Sequence, residues 1–248
     1  MADSNIASKD FLAHLKSLYP SEPKSHSPTG STDLQNPWFL VAAVAYSAGN
    51  RPEAVPRVYE SVIDALDSAA ASHGEKLSTT RVLRDAIFKS GMIGGYSRTI
   101  SALIALYEAT PSELRETKLI RQVDNDTVAD LVSRGDELFT AMYGETAASV
   151  QSLLEAIHPD MAWFSKNIAY GHTYNATHVV SQRDTSYAIV AALIAMDTPR
   201  QVAWHLANCR RGGASLEEVR AVRRIAMEVA EACGVKWRDG VPEVVEDK

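Results

Sequence analysis

The chain has 248 residues, of which 46% are hydrophobic and 23% charged, and its formal net charge is −6. This composition is typical of a globular protein with a sizeable core and excludes a disordered chain. An acidic balance without a basic stripe argues against nucleic-acid binding, and no apolar stretch approaches the roughly 20 residues of a membrane-spanning helix. Two cysteines, Cys209 and Cys233, are too few for a disulfide scaffold or a structural zinc site.

The two ends of the chain carry no recognisable targeting signal. Residues 1–10 mix acidic residues, serine and lysine and lack the apolar block of a secretory signal. Residues 244–248 (VVEDK) match neither a lipidation motif nor an organelle-address tripeptide. We therefore expect a soluble, cytoplasmic protein.

The hydrophobic pattern is helical nearly throughout, without the strict alternation that indicates strands. We predict helices over residues 8–18, 38–47, 52–71, 78–88, 96–109, 127–157, 161–170, 184–196, 198–212 and 215–233. A linker rich in Pro, Ser and Gly is expected over 20–32 and a loop over 171–181. Gly144 is expected to interrupt the longest of these helices. Because residues 184–196 are almost wholly apolar, they predict a central buried helix.

Two parts of the chain can be aligned as an internal repeat. The matched positions are 50–52 with 197–199, Val58 with His205, and Ser78 with Ser215. Chance similarity between two alanine-rich amphipathic helices is the alternative explanation. In both copies, nevertheless, a buried helix is followed by a helix that begins at a proline, then by a helix capped by a serine, and finally by a glycine that ends that helix. This order favours one helical module used twice.

Several segments follow one another in an ordered set within the second copy. They are 183–190 (RDTSYAIV), 199–205 (PRQVAWH), 213–219 (GASLEEV) and 234–235 (GV), preceded by 158–160 (HPD) and 170–171 (YG). Together they resemble the carboxymuconolactone decarboxylase and alkylhydroperoxidase-D-like family. The resemblance covers residues 155–237 well and 37–107 weakly through the repeat. It implies an all-α fold of two tandem related helical modules and assembly into a homo-oligomer, namely a dimer, trimer or hexamer.

With this resemblance, the chain divides into five predicted parts. These are an N-terminal helix and linker (1–35), a first, degenerate module (36–110), connecting helices (111–160), a second module (161–238) and a loose tail (239–248). In the first module, Val58 replaces the histidine of the second. The working site is therefore expected in the second module alone.

The resemblance implies two chemistries. The peroxidase branch of the family uses a Cys-x-x-Cys pair, which this sequence lacks. Since Cys209 and Cys233 lie on separate predicted helices, a disulfide redox cycle has no second thiol within reach. In the decarboxylase branch, a histidine acts without cysteines, and His205 matches that position. Asp184 stands where the family usually has Glu, and its side chain is shorter than that of Glu by one methylene.

His205 is the predicted general acid or base, because an unperturbed imidazole titrates near ~6.5 and exchanges protons near neutral pH. Asp184 is its predicted partner, which would orient the ring and raise its pKa. Each residue also has a structural alternative. His205 shares an apolar helix face, as a packed core histidine does, and Asp184 could be an acid at a helix N-terminus, favoured by the macrodipole.

Four further residues are predicted to bind substrate. Arg183 or Tyr170 would hold its negative charge, while His172 and Trp204 would line the pocket. The alternative for Arg183 is a surface ion pair. For Tyr170 and His172 it is a place in an ordinary surface loop, and for Trp204 it is core packing. His172 and His178 lack companions at metal-ligand spacing, so we predict no metal and no cofactor.

From the resemblance we predict a lyase-like enzyme that decarboxylates, eliminates or isomerises a small organic acid or carbonyl compound, without nucleic-acid or membrane partners. A non-catalytic helical assembly or binding protein is the alternative. A hydroperoxide reductase is a weaker one. The enzymatic prediction requires the ring of His205 to face a ligand-sized cavity.

Overall fold

A computed structural model describes residues 6–20, 35–121 and 127–246. Every regular element in these ranges is helical, which confirms the all-α fold class. The predicted linker over 20–32 lies outside them, apart from Pro20. A π-helix spans Ser165–Tyr174. The α-helices are α1 (Lys9–Leu18), α2 (Trp38–Ala48), α3 (Val55–Ser68), α4 (His73–Gly94), α5 (Tyr96–Ala109), α6 (Val128–Tyr143), α7 (Ala147–Ile157), α8 (Pro159–Phe164), α9 (Gln182–Ala195), α10 (Pro199–Arg211) and α11 (Leu216–Ala232).

Helices α2 and α9 form the centre of the core. Every residue of α2 is buried, and so is every residue of α9 except Gln182. A helix that is apolar on all sides is stable in water only when other elements surround it. Here α4 and α11 pack against both central helices, and α10 packs against α9. The prediction of a central buried helix over 184–196 is confirmed.

Helix α4 is longer at both ends than the sequence predicted. It begins after Ser72, whose side chain accepts a hydrogen bond from the backbone of Glu75 while Glu75 accepts one from the backbone of Ser72. This capping box satisfies two backbone donors that the helix leaves open. Ser78, the predicted cap, lies inside the helix. The helix also continues through Gly91, where a Cβ would come within 3.0 Å of Thr99 on α5.

The turns that follow the two central helices share their backbone geometry. Asn50 after α2 and Asp197 after α9 both have left-handed φ angles, of 58° and 52°. Ser72 opens α4 through a capping box, and Ser215 opens α11 in the same way. Ser72 rather than Ser78 is therefore the local counterpart of Ser215. The tandem duplication and its module boundaries stay a prediction.

Helix α6 and the π-helix approach each other closely at two glycines. The helix predicted over 127–157 is interrupted at Gly144, which has a φ of 55°. A Cβ on Gly135 of α6 or on Gly171 of the π-helix would come within 3.0 Å of a backbone oxygen of the opposite element. The predicted loop over 171–181 is wrong at its start, because its first residues complete the π-helix.

The described end of the chain lies against α11. Arg223 on that helix donates to the backbone oxygens of Val241 and Pro242, both at 2.7 Å. Val244 is only 7% exposed. These contacts hold residues of the predicted tail 239–248, whose last two residues lie outside the described ranges.

Candidate functional site

His205 lies on the inner face of α10 and is 5% exposed. Its Nε2 atom is 3.2 Å from the hydroxyl of Tyr143, and its Nδ1 atom is 3.4 Å from the side-chain amide of Asn208. These two residues are its hydrogen-bond partners. The predicted partner, Asp184, is not one of them.

The ring of His205 belongs to a buried group of rings that we call the aromatic cluster. Its members are Phe139, Tyr143, Tyr170, Tyr174 and His205. The hydroxyl of Tyr170 donates to that of Tyr143 across 3.3 Å. Burial raises the pKa of Tyr143 and of Tyr170, so both phenols stay neutral. The cluster joins α6, the π-helix and α10.

Burial also lowers the pKa of His205 to about 4. Desolvation disfavours the charged imidazolium, and a tyrosine and an amide offer no negative charge to offset it. His205 is therefore neutral near pH 7 and is a weak base. This arrangement fits the structural alternative of a packed core histidine better than a proton-exchanging group tuned to neutral pH.

The buried His205 should make the protein less stable in acid. Its folded-state pKa lies below the ordinary value of 6.5. Its contribution to stability is thus present above pH 6.5 and is lost as the pH falls through 4, because only the unfolded chain binds the proton in that range. We expect wild type to lose about 3 kcal/mol more than His205→Gln between pH 7 and pH 4. Urea unfolding at both pH values measures this difference, and an identical pH dependence of the two proteins would contradict it.

Arg183 and Asp184 lie in a different buried group at the start of α9. Ser181 caps that helix and accepts a hydrogen bond from the backbone of Asp184. The guanidinium of Arg183 is 3.5 Å from Asp184 and 3.7 Å from Glu218 on α11. Tyr19 donates to Glu218 at 2.8 Å. Arg183 is 3% exposed, so the predicted surface ion pair is instead a buried connection between α9 and α11.

The remaining predicted site residues are separated from one another. Trp204 lines a groove of about 370 Å³ between α7 and α10, whose opposite wall includes Val150 and Leu153. His172 lines another cavity, beside α4 and α5. Tyr170 alone shares the aromatic cluster with His205. The predicted residues do not form a single pocket.

Lys89 on α4 is a buried cation that the sequence did not reveal. It is 0% exposed and donates to the hydroxyl of Thr185 at 2.8 Å and to the backbone oxygen of Val180 at 3.1 Å. Asp85, one turn earlier, is 3.7 Å away and also binds Arg121 through both carboxylate oxygens. Burial lowers the pKa of Lys89 to about 7, although Asp85 acts in the opposite direction.

Asp85 is also one of the residues that line a cavity of about 450 Å³, which we call the α4–α5 cavity. Its wall includes Arg84, Asp85, Phe88, Leu103, Glu116, Lys118, Leu119, Arg121 and His172. The segment that follows α5 closes one side. The guanidinium of Arg121 lies 4.9 Å from the ring centre of Phe88. The wall of the α4–α5 cavity therefore combines apolar side chains with guanidinium groups.

A smaller lobe of about 240 Å³ adjoins this cavity and shares Arg84, Leu103 and Glu116 with it. Arg81 and Arg84 both bind the carboxylate of Glu116, and Arg81 does so through two nitrogen atoms. These contacts hold the segment after α5 against α4. The remaining wall of the lobe is mostly apolar, with Leu106 as one member.

Sequence spacing could have found part of this arrangement. Asp85 and Lys89 are four residues apart, so they lie on the same helix face, which also carries Val82 and Phe88. Asn208 lies one helical turn after His205. By contrast, the Arg121 contact joins residues that are far apart in the chain and needed the tertiary structure.

Within the described ranges, no group of three or more His, Cys, Asp or Glu side chains is arranged to hold a metal ion. The helices of the same ranges include none that is long and apolar enough to cross a membrane.

Comparison with known proteins gives a family. No protein-family model matches this chain, and no solved structure matches it. A relative from Schizosaccharomyces pombe, named Peroxisomal protein 2, is 30% identical over 203 residues, which cover 82% of this chain and 90% of that protein. The chain belongs to the Peroxisomal protein 2 family. Peroxisomal protein 2 of Saccharomyces cerevisiae is 26% identical over an alignment that covers 84% of this chain and 92% of that protein.

Membership of the Peroxisomal protein 2 family corrects three predictions. The assignment to the carboxymuconolactone decarboxylase and alkylhydroperoxidase-D-like family is wrong, because both relatives carry another name and no family model supports it. The predicted lyase-like activity loses its basis with that assignment. The predicted cytoplasmic location is contradicted by the names of both relatives.

The motifs that suggested the other family have a physical explanation in the structure of this chain. Ser215 and Glu218 form the capping box of α11. Gly213 and Gly234 have left-handed φ angles of 90° and 88° just after α10 and α11. Residues of these kinds are common at such places in helical proteins. These four matched residues therefore mark helix ends and do not indicate a shared chemistry.

Proposed function

We propose that this chain resides in peroxisomes and binds a small organic anion with an apolar part in the α4–α5 cavity. The first half of the proposal rests on the two relatives named Peroxisomal protein 2, which align with most of the chain. The second half rests on the shape and charge of the cavity.

The size and walls of the cavity suit a small molecule. Its volume of about 450 Å³ lies within the ~300–1,000 Å³ of ligand pockets, which combine apolar walls with a few polar groups. Phe88 and Leu103 supply apolar surface, and the adjoining lobe extends it along Leu106. An apolar chain of several carbons would fill this space.

The charges of the cavity favour an anion. Arg84, Lys118 and Arg121 face two acids, Asp85 and Glu116. A guanidinium group binds carboxylates and phosphates through paired hydrogen bonds and has five N–H donors. Arg121 already donates to Asp85 and to the backbone oxygens of His172 and Thr173. Among the described residues, Arg84 donates only to Glu116, so it has N–H donors left for a ligand. The surplus of cations in this otherwise acidic chain is the single observation that carries the proposed ligand class.

The buried His205 supports binding by this cavity rather than acid–base chemistry in the second module. His205 contacts Tyr143 and Asn208, and the adjacent groove is lined by Trp204 instead. Burial also raises the pKa of the Cys209 thiol, which disfavours the reactive thiolate. In this proposal the aromatic cluster holds three helical elements together.

Binding can be tested with octanoate, a carboxylate that carries an apolar tail. We expect calorimetry to detect octanoate binding to wild type and no binding of octylamine, which has the opposite charge. Arg84→Gln should weaken octanoate binding about tenfold or more, because it removes a charged donor. Arg57→Gln on the exposed face of α3 is the matched control and should bind as wild type does.

The two halves of the proposal fail separately. The proposed anion site would be contradicted if Arg84→Gln bound octanoate as tightly as wild type does, or if wild type bound octylamine as tightly as octanoate. The location is tested by fluorescence microscopy of the tagged full chain beside a peroxisomal marker. A diffuse signal in cells that have peroxisomes would contradict the proposed peroxisomal location.

A further inference from the structure

The lobe beside the α4–α5 cavity leads away from it in one direction. The lobe and the cavity share three residues, namely Arg84, Leu103 and Glu116. The rest of the lobe is lined by Thr80, Leu106, Tyr107, Thr110, Leu114 and Arg115. Thr80 lies about one helical turn before Arg84 on α4. On α5, Thr110 lies about two turns after Leu103. The lobe is therefore a side chamber with one end at Arg84 and the other at the C-terminal end of α5.

The polar side chains of the lobe already have partners within the chain. The hydroxyls of Thr80 and Thr110 each donate to a backbone oxygen one turn earlier in the chain, at 2.8 and 2.6 Å. The guanidinium of Arg115 lies 4.2 Å from the ring centre of Tyr107, and its Nε atom donates to the backbone oxygen of Thr110 at 2.9 Å. Burial of a polar group without a hydrogen-bond partner is costly, whereas an alkyl chain needs no partner. The lobe therefore favours a hydrocarbon over a second polar group.

The cations that suit a carboxylate lie at the other end. Arg84 stands at the junction of the lobe and the cavity and keeps N–H donors beyond those that bind Glu116. Lys118 lines the cavity but not the lobe. A carboxylate is thus favoured beside Arg84 and Lys118, where charged donors can pair with it. An anion with an apolar tail then has one favourable orientation, with its carboxylate in the cavity and its tail in the lobe.

The lobe has a limited length. From Leu103 to Thr110, α5 advances about 10 Å, at roughly 1.5 Å per residue. An extended chain advances about 3.5 Å for every three bonds, so roughly eight carbons span this distance. Leu114 follows Thr110 by four residues and is 4% exposed, so its side chain packs at the same end of the lobe. A longer tail would meet Leu114.

We infer that the bound anion is a straight-chain carboxylate of about ten carbons, of which roughly eight lie in the lobe. Arg84 binds the carboxylate at the near end. Leu114 limits the length of the tail, because its side chain belongs to the wall at the far end. This inference rests on the proposed function, and it adds the chain length of the ligand and the residue that sets it.

Titration calorimetry of the full chain with hexanoate, octanoate, decanoate and dodecanoate tests the length. Each methylene that enters the lobe leaves water, so we expect the affinity of wild type to rise about fourfold per added methylene as far as decanoate. Dodecanoate should bind no more tightly than decanoate, because its last carbons find no room. A rise that continues to dodecanoate, or equal affinity for hexanoate and decanoate, would overturn the inference.

Two substitutions of Leu114 should shift the length limit in opposite directions. Leu114→Ala removes most of the side chain, so dodecanoate should bind about fourfold or more tightly than decanoate. Leu114→Phe enlarges the side chain, so decanoate should bind no more tightly than octanoate. A purely structural role would weaken the binding of all four acids alike and leave the limit unchanged. Leu153→Ala on α7 is the matched control at a leucine outside the lobe and the cavity, and it should keep the wild-type profile.

The inference and the proposed function can fail separately. If wild type binds octanoate and Arg84→Gln weakens that binding, the anion site stands. An unchanged length limit in both Leu114 variants would then overturn the inference alone. No binding of any of the four acids to wild type would overturn both. Circular dichroism checks that the variants are folded, and the wild-type series decides the length by itself if one of them is not.

Discussion

Gly171→Ala is expected to lower the free energy of unfolding by about 3 kcal/mol, at the upper end for overpacking in a core. A Cβ at this position would come within 3.0 Å of the backbone oxygen of Leu131 on α6, and it would also press on the backbone of Gly135. Backbone atoms cannot rotate away as a side chain can, so the π-helix would have to move off α6. That movement would disturb the aromatic cluster, since Tyr170 is the preceding residue.

Urea unfolding of Gly171→Ala against wild type measures this cost. Gly74→Ala is the control, because a Cβ there meets only the side chain of Ser72 at 3.8 Å. In that exposed first turn of α4, alanine should be neutral or stabilise the protein by about 0.5 kcal/mol. A Gly171→Ala protein as stable as wild type would show that the two elements are not closely packed.

Asp85→Ala should lower the free energy of unfolding by about 3 kcal/mol, as much as Gly171→Ala. The carboxylate binds Arg121 at 2.7 and 3.2 Å and lies 3.7 Å from Lys89. Its removal leaves a buried lysine and a largely buried arginine without their acidic partner. Release of the proton from Lys89 would limit the loss, because burial already lowers the pKa of that amine to about 7.

The same unfolding measurement checks this prediction. Asp64→Ala on the exposed side of α3 is the control and should change stability by about 0.5 kcal/mol or less. The double variant Asp85→Ala/Lys89→Met should recover part of the loss, because it removes one of the two buried cations. A loss below about 1 kcal/mol in Asp85→Ala would contradict a buried ion network at this place.

Much of the fold could be predicted from local patterns. The all-α class and the central helix α9 are visible in hydrophobic periodicity, and Gly144 correctly indicated the break between α6 and α7. Ser72 was missed as the cap of α4 because Ser78 satisfied the same local pattern. The π-helix begins within the helix predicted over 161–170, but its last four residues were missed because they resemble a polar aromatic loop.

The candidate site was harder to predict, because side-chain partners depend on which helices pack together. His205 was placed correctly on a helix face with apolar neighbours, but its partners Tyr143 and Asn208 replaced the expected Asp184. The resemblance that selected His205 rested on an ordered set of short segments, several of which are helix caps and glycine turns that occur at many helix ends. The α4–α5 cavity combines residues from four separate stretches of chain, namely 84–88, 103, 116–121 and 172.

The sequence by itself determined that this protein is a helical globular chain with its most apolar segments at the centre, because periodicity and capping act within one or two helical turns. The tertiary structure alone decided which charges are buried and which apolar faces are uncovered. Asp85 meets Arg121 only after α4 and a later segment pack together. Tyr96, Ile100 and Ile104 on α5 are exposed only because Thr99, Ala102 and Leu106 turn the other face of that helix to the core.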